Sequence, residues 1–120
     1  MGLILADTNI IVYIMNGLPQ VDKYIDIQFA LSEVTEIELL GVKGIQQKEI
    51  LFRKEMIADC FLLRLNDSIK QVAITLKQKY VLKVPDALIA ATAIYHDIPL
   101  LSADKDFKKV TELQFISLSI

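Results

Sequence analysis

The segment VPDALIAATAIYHD, Val84 to Asp97, constrains this chain more than any other stretch. Leu88, Ile89, Ala90, Ala91, Ala93 and Ile94 leave it apolar on nearly every side, and a helix apolar all round belongs in a core. Yet it opens on Pro85 and Asp86. Any fold must bury the body of this helix and still find a place for the carboxylate at its head. The flanking sequence suggests how. GLILAD reads as a short, fully buried strand, and IQFALSEV, FLLRL, IPLLSAD and FISLSI as four more. Between them TNIIVYIMNG, TEIELLG, IQQKEILFRKEMIAD and DSIKQVAITLKQKY read as helices, with Gly17 a stop for the first. In DSIKQVAITLKQKY, Ile69, Val72, Ala73, Leu76 and Tyr80 recur at helical spacing. Short apolar strands alternating with helices imply an α/β fold with a parallel sheet covered on both faces.

The chain has 120 residues with no linker, repeat or low-complexity run, so a single domain over 1–120 is expected. Hydrophobic residues make up 53% of it. That predicts a well-filled core and an apolar surface kept for a partner or for self-association. No apolar run approaches the ~18 residues of a membrane span. The start MGLILADTN lacks the features of a secretory signal, and Ala6 stands where a myristoylation signal needs Ser or Thr. Cys60 is the only cysteine, which excludes an internal disulfide and suggests a small core residue. Together these features predict a cytoplasmic protein. The formal net charge of -2 neither announces nor excludes nucleic acid. No glycine-rich phosphate-binding or dinucleotide-binding motif occurs.

In open α/β sheets, ligands bind beyond the carboxyl ends of the strands. The polar residues expected there are Asp7 after the first strand, Glu38 after the second, Asp104 after the fourth, and Asp86 at the head of the apolar helix. Each has a local explanation. Asp7 or Thr8 can cap a helix, and Asp104 a short turn before Phe107. Thr35 and Glu38 match a capping box. Pro85 and Asp86 suit a first helical turn. But Ser, Thr or Asn would cap equally well, and Thr8, Thr35 and Ser102 stand beside the acids. Four carboxylates at one sheet edge raise each other's pKa unless cations neutralise them. Mg2+ is the natural counter-ion: it prefers oxygen, holds few carboxylates and keeps several waters. Such a site supports phosphodiester hydrolysis.

ILADTN, VTEIELLG and VPDALIAATAIYHDIPLLSADKDF, in this order and spacing, resemble the PIN-domain nucleases, most closely VapC-type toxin ribonucleases of toxin–antitoxin systems. The resemblance spans essentially the whole chain. It implies a three-layer α/β/α sandwich with a mostly parallel, about five-stranded sheet. It implies an acidic pocket binding Mg2+ or Mn2+, endoribonuclease activity, RNA as substrate, a small antitoxin partner and a homodimer. Carried over by position, the catalytic set is Asp7, Glu38, Asp86 and Asp104. Asp7, Asp86 and Asp104 would hold the metal, with Glu38 and Asp106 as further acids. Asn9 and Ser102 would hydrogen-bond the carboxylates and fix their direction. Glu33 and Glu36 read as solvated neighbours of Glu38. Gly41 follows Glu38 sooner than the family leads one to expect, so the local helix is expected to differ.

RNA approaching an acidic mouth requires basic residues on its rim; Lys43, Lys48, Arg53, Lys54, Lys105 and Lys108 are the candidates. His96, the sole histidine, reads as a residue at the helix C-terminus, away from the pocket. Two other readings share the sheet: a phosphoacceptor receiver domain, whose acids would fall in another order, and a non-catalytic protein-binding module on the same fold.

Overall fold

A computed structural model describes residues 2–120. Five strands, β1 (Ile4–Ala6), β2 (Phe29–Ser32), β3 (Phe61–Leu63), β4 (Leu100–Ser102) and β5 (Phe115–Ser117), form one sheet in the order β3-β2-β1-β4-β5. Every pairing is parallel. Leu5 stands in register with Ala30 on one side and Leu100 on the other. Five helices connect the strands: α1 (Thr8–Met15), α2 (Glu33–Leu40), α3 (Gln47–Ala58), α4 (Asp67–Lys79) and α5 (Val84–Tyr95). Two 3-10 turns, Pro19–Tyr24 and Lys105–Lys109, complete the chain. The expected three-layer α/β/α architecture is what the residues build.

Side chains of a strand alternate between faces, and the core divides accordingly. Leu5, Ala30 and Leu100 point into a cluster with Ile69, Ala73 and Leu76 of α4 and the buried residues of α5. Ala6, Leu31 and Leu101 point the other way, against Ile10 and Ile11 of α1, Leu39 of α2 and Ile57 of α3. Leu5, Leu31, Leu100 and Leu101 are wholly buried, each a contribution of about 1.5–3 kcal/mol relative to exposure.

In α5, Ala87 is buried, Leu88 partly so, and Ile89, Ala90, Ala91, Thr92 and Ala93 are buried in unbroken succession. Its alanines permit a close approach to the sheet. The one polar group among them, the Thr92 hydroxyl, donates to Leu88 O at 2.7 Å. The helix ends at Tyr95 and His96 is its exposed C-cap, as expected. Asp97, which the sequence reading placed within the helix, turns out of it with φ 53°.

Two local expectations are corrected. Thr35 and Glu38 form no capping box: α2 starts two residues earlier, where Ser32 Oγ accepts from Val34 N–H at 3.1 Å. Thr35 is therefore buried inside the helix, one turn before Glu38 and on its side. Glu33 is not a solvated neighbour either. Its carboxylate accepts from Leu65 N–H at 2.7 Å and pairs with Arg64 at 3.0 Å, tying the start of α2 to the end of β3. Gly41 ends α2: its N–H donates to Ile37 O at 2.7 Å, and a Cβ there would stand 2.6 Å from that oxygen. No side chain fits without moving the last turn, which carries Glu38.

Candidate active site

The chain runs β1, β2, β3 outward in one direction from β1, then returns to place β4 and β5 on its other side. The order thus reverses between β1 and β4, and the crevice beyond such a point is where open α/β sheets bind ligands. Asp7 follows β1 and Ser102 ends β4, two strands paired through Leu5–Leu100 and Ala6–Leu101. The expected acids meet at this edge. Asp7, Glu38, Asp86 and Asp104 line one open depression of about 460 Å³. Thr8 and Asn9 stand between them, and Val12 and Tyr13 of α1 form the remaining wall. Larger concavities of about 510 and 530 Å³ lie elsewhere and contain none of the four acids.

Asp7 is the centre of a hydrogen-bond network. One carboxylate oxygen caps α1 by accepting Thr8 N–H at 2.8 Å. The other accepts the Ser102 hydroxyl at 2.6 Å and the Asn9 amide at 3.2 Å. Ser102 Oγ in turn accepts Asp104 N–H at 2.9 Å, and Asp104 caps the following 3-10 turn by accepting Asp106 N–H at 3.0 Å. One buried hydroxyl thereby sets the positions of two acids on neighbouring strands. Asn9 and Ser102 thus both donate to Asp7.

Glu38 is held differently. Its Oε1 accepts the Thr8 hydroxyl at 2.5 Å, and Thr8 Oγ1 is 3.0 Å from Thr35 Oγ1. A hydroxyl has one proton; given to Glu38, it leaves Thr8 to accept from Thr35. The Thr-x-x-Glu pattern serves this relay rather than a cap. Asp86 accepts no hydrogen bond among the described residues, and α5 has no side-chain cap bond. Only the rigidity of the buried helix aims it.

The electrostatics follow from this gathering. The Asp7 carboxyl lies above the ordinary aspartate range chiefly because burial disfavours its charge, with Glu38 and Asp104 adding to the rise; the Ser102 and Thr8 bonds work against it. Asp86 is raised too, by desolvation first and then by Asp7, Asp104 and Glu38, while Lys83 opposes the shift. Among the described residues, no three Asp, Glu, His or Cys side chains stand close enough to enclose an ion unaided. The donors at the depression are all hard oxygens with room between them, which fits an ion that keeps several of its waters.

The remaining expected residues fall outside. Asp106 is exposed and does not line the depression. Arg53 turns to its own helix and to α2, donating to Glu49 at 3.1 Å and Leu39 O at 2.8 Å. Lys43 and Arg53 line the neighbouring concavity, and Lys48, Lys54, Lys105 and Lys108 are exposed. No Lys or Arg lines the acidic depression among the described residues. The base that influences it is Lys83, the exposed N-cap of α5, which sequence reading passed over. Thr8 and Thr35 were expected only as caps beside the acids, and Tyr13 was passed over. Helical spacing from Asn9 points to Tyr13 and from Glu38 to Thr35, whereas the Thr8–Glu38 contact joins residues 30 apart.

A doubly wound parallel sheet with carboxylates at its switch point defines an α/β protein with an acidic, oxygen-donor site. The chain belongs to the PIN-domain family, whose family model matches residues 4–113. Solved structures agree. A toxin–antitoxin complex from Klebsiella pneumoniae is 26% identical with a TM-score of 0.82, covering 96% of this chain and 97% of that one. VapBC-1 from nontypeable Haemophilus influenzae is 25% identical with a TM-score of 0.81, covering 98% of each. DNA-bound VapBC from Salmonella typhimurium, 17% identical with a TM-score of 0.82, covers 99% of this chain and 100% of that one and attests the fold alone. No curated protein matches the sequence. No helix among the described residues is long and apolar enough to cross a membrane.

Proposed function

We propose that the chain is a divalent-metal-dependent endoribonuclease, with Mg2+ the ordinary ion and Mn2+ able to substitute, acting as the toxin of a toxin–antitoxin pair. One observation carries the reading: four carboxylates converge on one depression, and one of them, Asp86, has no protein partner there. Its place at a helix N-terminus favours such a carboxylate, but burial and the three acids facing it outweigh that and oppose its charge. A cation that neutralises them removes that opposition.

Asp7, Asp86 and Asp104 would hold the ion directly or through its waters, with Glu38 completing the pocket. When bound, such an ion lowers the pKa of water and stabilises charge on a scissile phosphate. The chain's own residues do the positioning. Ser102 fixes Asp7 and Asp104 together, Asn9 adds a second donor to Asp7, and Thr8 aims Glu38. Glu38 is the acid closest to solvent of the four, exposed at the last turn of α2, and we assign it to orient the attacking water.

The Klebsiella relative is a toxin–antitoxin complex, and the exposed apolar residues Ile37, Leu51 and Phe52 offer a partner surface. We extend to this chain a small antitoxin partner and a homodimer. The test is cleavage of RNA by the purified protein with Mg2+ or chelator, beside Asp7→Asn and Asp86→Asn. The reading expects cleavage only with the ion and a loss in both variants. Variants that cut like the parent would remove the site from consideration.

A further inference from the structure

We propose that Tyr13 is the platform on which an unpaired nucleobase of the substrate stacks beside the acids. The proposal rests on the nuclease reading for the identity of the ligand as a nucleotide. Its geometry comes from α1. Residues four apart on a helix lie on one face, so Val12 stands one turn beyond Thr8, and Tyr13 one turn beyond Asn9. The first residue of each row serves a carboxylate, Thr8 holding Glu38 and Asn9 holding Asp7. The second of each row forms the one wall of the depression that is not polar.

The Tyr13 ring is half-buried and packs against the cluster that contains Ile10, Ile11 and Leu39. Its plane is therefore held, while part of it faces the depression. Among the described residues, no buried polar side-chain atom lacks a partner. Tyr13 is not among the hydrogen-bonded tyrosines, so its hydroxyl is open to solvent. Tyr80 shows the contrast: its hydroxyl donates to Glu112 at 2.7 Å, and it does not line the depression.

The charge of the depression favours an aromatic wall. A phosphodiester is repelled by four carboxylates, and no Lys or Arg lines the depression to offset them. A bound cation neutralises part of that repulsion and leaves affinity to contacts that do not depend on charge. Stacking of a base on an aromatic ring is such a contact, and it tolerates any base. Loss of one stacked base corresponds to roughly 5- to 150-fold in affinity.

The test has two arms. In the first, cleavage of a single-stranded oligoribonucleotide in Mg2+ is followed for the parent, Tyr13→Leu and Tyr13→Phe. Tyr13→Leu should raise KM about 5- to 150-fold with a much smaller change in kcat and an unchanged Mg2+ effect on melting; Tyr13→Phe should restore KM toward the parent. In the second, tyrosine ring resonances of the parent are recorded while adenosine 5′-monophosphate, which has no phosphodiester bond to cut, is added in Mg2+. Tyr13 should shift and Tyr80 and Tyr95 should not. The second arm decides alone if Tyr13→Leu fails to fold. An unmoved Tyr13 resonance, or an unchanged KM in a folded Tyr13→Leu, overturns the proposal while cleavage abolished by Asp86→Asn keeps the nuclease reading. A shifted Tyr13 in a protein that cuts no RNA supports stacking and sinks the nuclease reading instead.

Discussion

Asp7 and Asp86 bring the same group to the same depression, and the molecule supports them in opposite ways. Asp7, at the β1–α1 junction, is almost wholly buried and accepts from Thr8, Ser102 and Asn9. Asp86, at the head of α5, accepts from none of the described residues and is aimed only by the helix beneath it. The first is part of the fold as well as the site. The second makes no side-chain hydrogen bond and has only its place in the first turn of α5 to favour it, while burial and three neighbouring acids both oppose its charge. Where an acid has a cap to make, its presence says little about function. Where it has none and still costs stability, function is the better account.

The largest test of this contrast separates activity from stability. Asp7→Ala and Asp86→Ala should each lower RNA cleavage by about 10²- to 10⁴-fold, since each removes part of a site asked for several kcal/mol of transition-state stabilisation. Their melting should diverge. Asp7→Ala leaves Ser102 and Thr8 N–H without their acceptor and should cost about 1–3 kcal/mol. Asp86→Ala should cost little or nothing without metal. Equal destabilisation would erase the distinction.

Ser102→Ala comes next. It removes the donor to Asp7 and the acceptor for Asp104 N–H at once. A loss of about 10- to 100-fold in metal affinity is expected by calorimetric titration. Thr8→Val should be milder. It frees Glu38 but leaves the Asp7 network intact, so cleavage should fall about 10-fold while Mg2+ binding barely changes. A larger loss of binding would make Glu38 a ligand rather than a group that orients water.

The smallest effect is in pH dependence. Asp7 and Asp86 are raised in the folded chain, so their protonated forms favour folding. That favour is complete below the ordinary aspartate pKa and disappears as pH rises through the raised folded value. Metal-free parent should therefore lose stability relative to Asp86→Asn on going from about pH 3 to about pH 7. Comparison with the variant is essential because Glu112 acts in the other direction. Lys79 and Tyr80 hold it down to about 2, so its contribution is present above the ordinary glutamate value and lost in acid.

The sheet and the four acids were legible because both follow local patterns in the sequence. Short apolar strands between helices, the apolar α5 and acids placed after apolar runs are such patterns. What could not be read depends on contacts between segments. Thr35 and Glu38 satisfy a capping-box pattern, yet Ser32 caps the helix, and the face that Thr35 and Glu38 share meets Thr8, remote in sequence. Arg53 is basic and near the expected mouth, but Glu49 and Leu39 O take its guanidinium. Lys83 influences Asp86 because it precedes Pro85 at the helix start, a position that charge counting does not reveal. Tyr13 looks like an ordinary core aromatic until α1 is set beside the acids.

The most direct measurement is thermal melting of the parent and Asp86→Asn, each in chelator and in saturating Mg2+. In chelator the variant should melt at or above the parent, because one of four mutually repelling charges is gone. Mg2+ should raise the parent's Tm by several degrees, since an ion present at about 100 times its Kd adds about 2.7 kcal/mol, and should leave the variant nearly unmoved. A variant that melts below the parent in chelator, or that gains as much from Mg2+, would contradict the claim that Asp86 is held at the sheet edge for a cation.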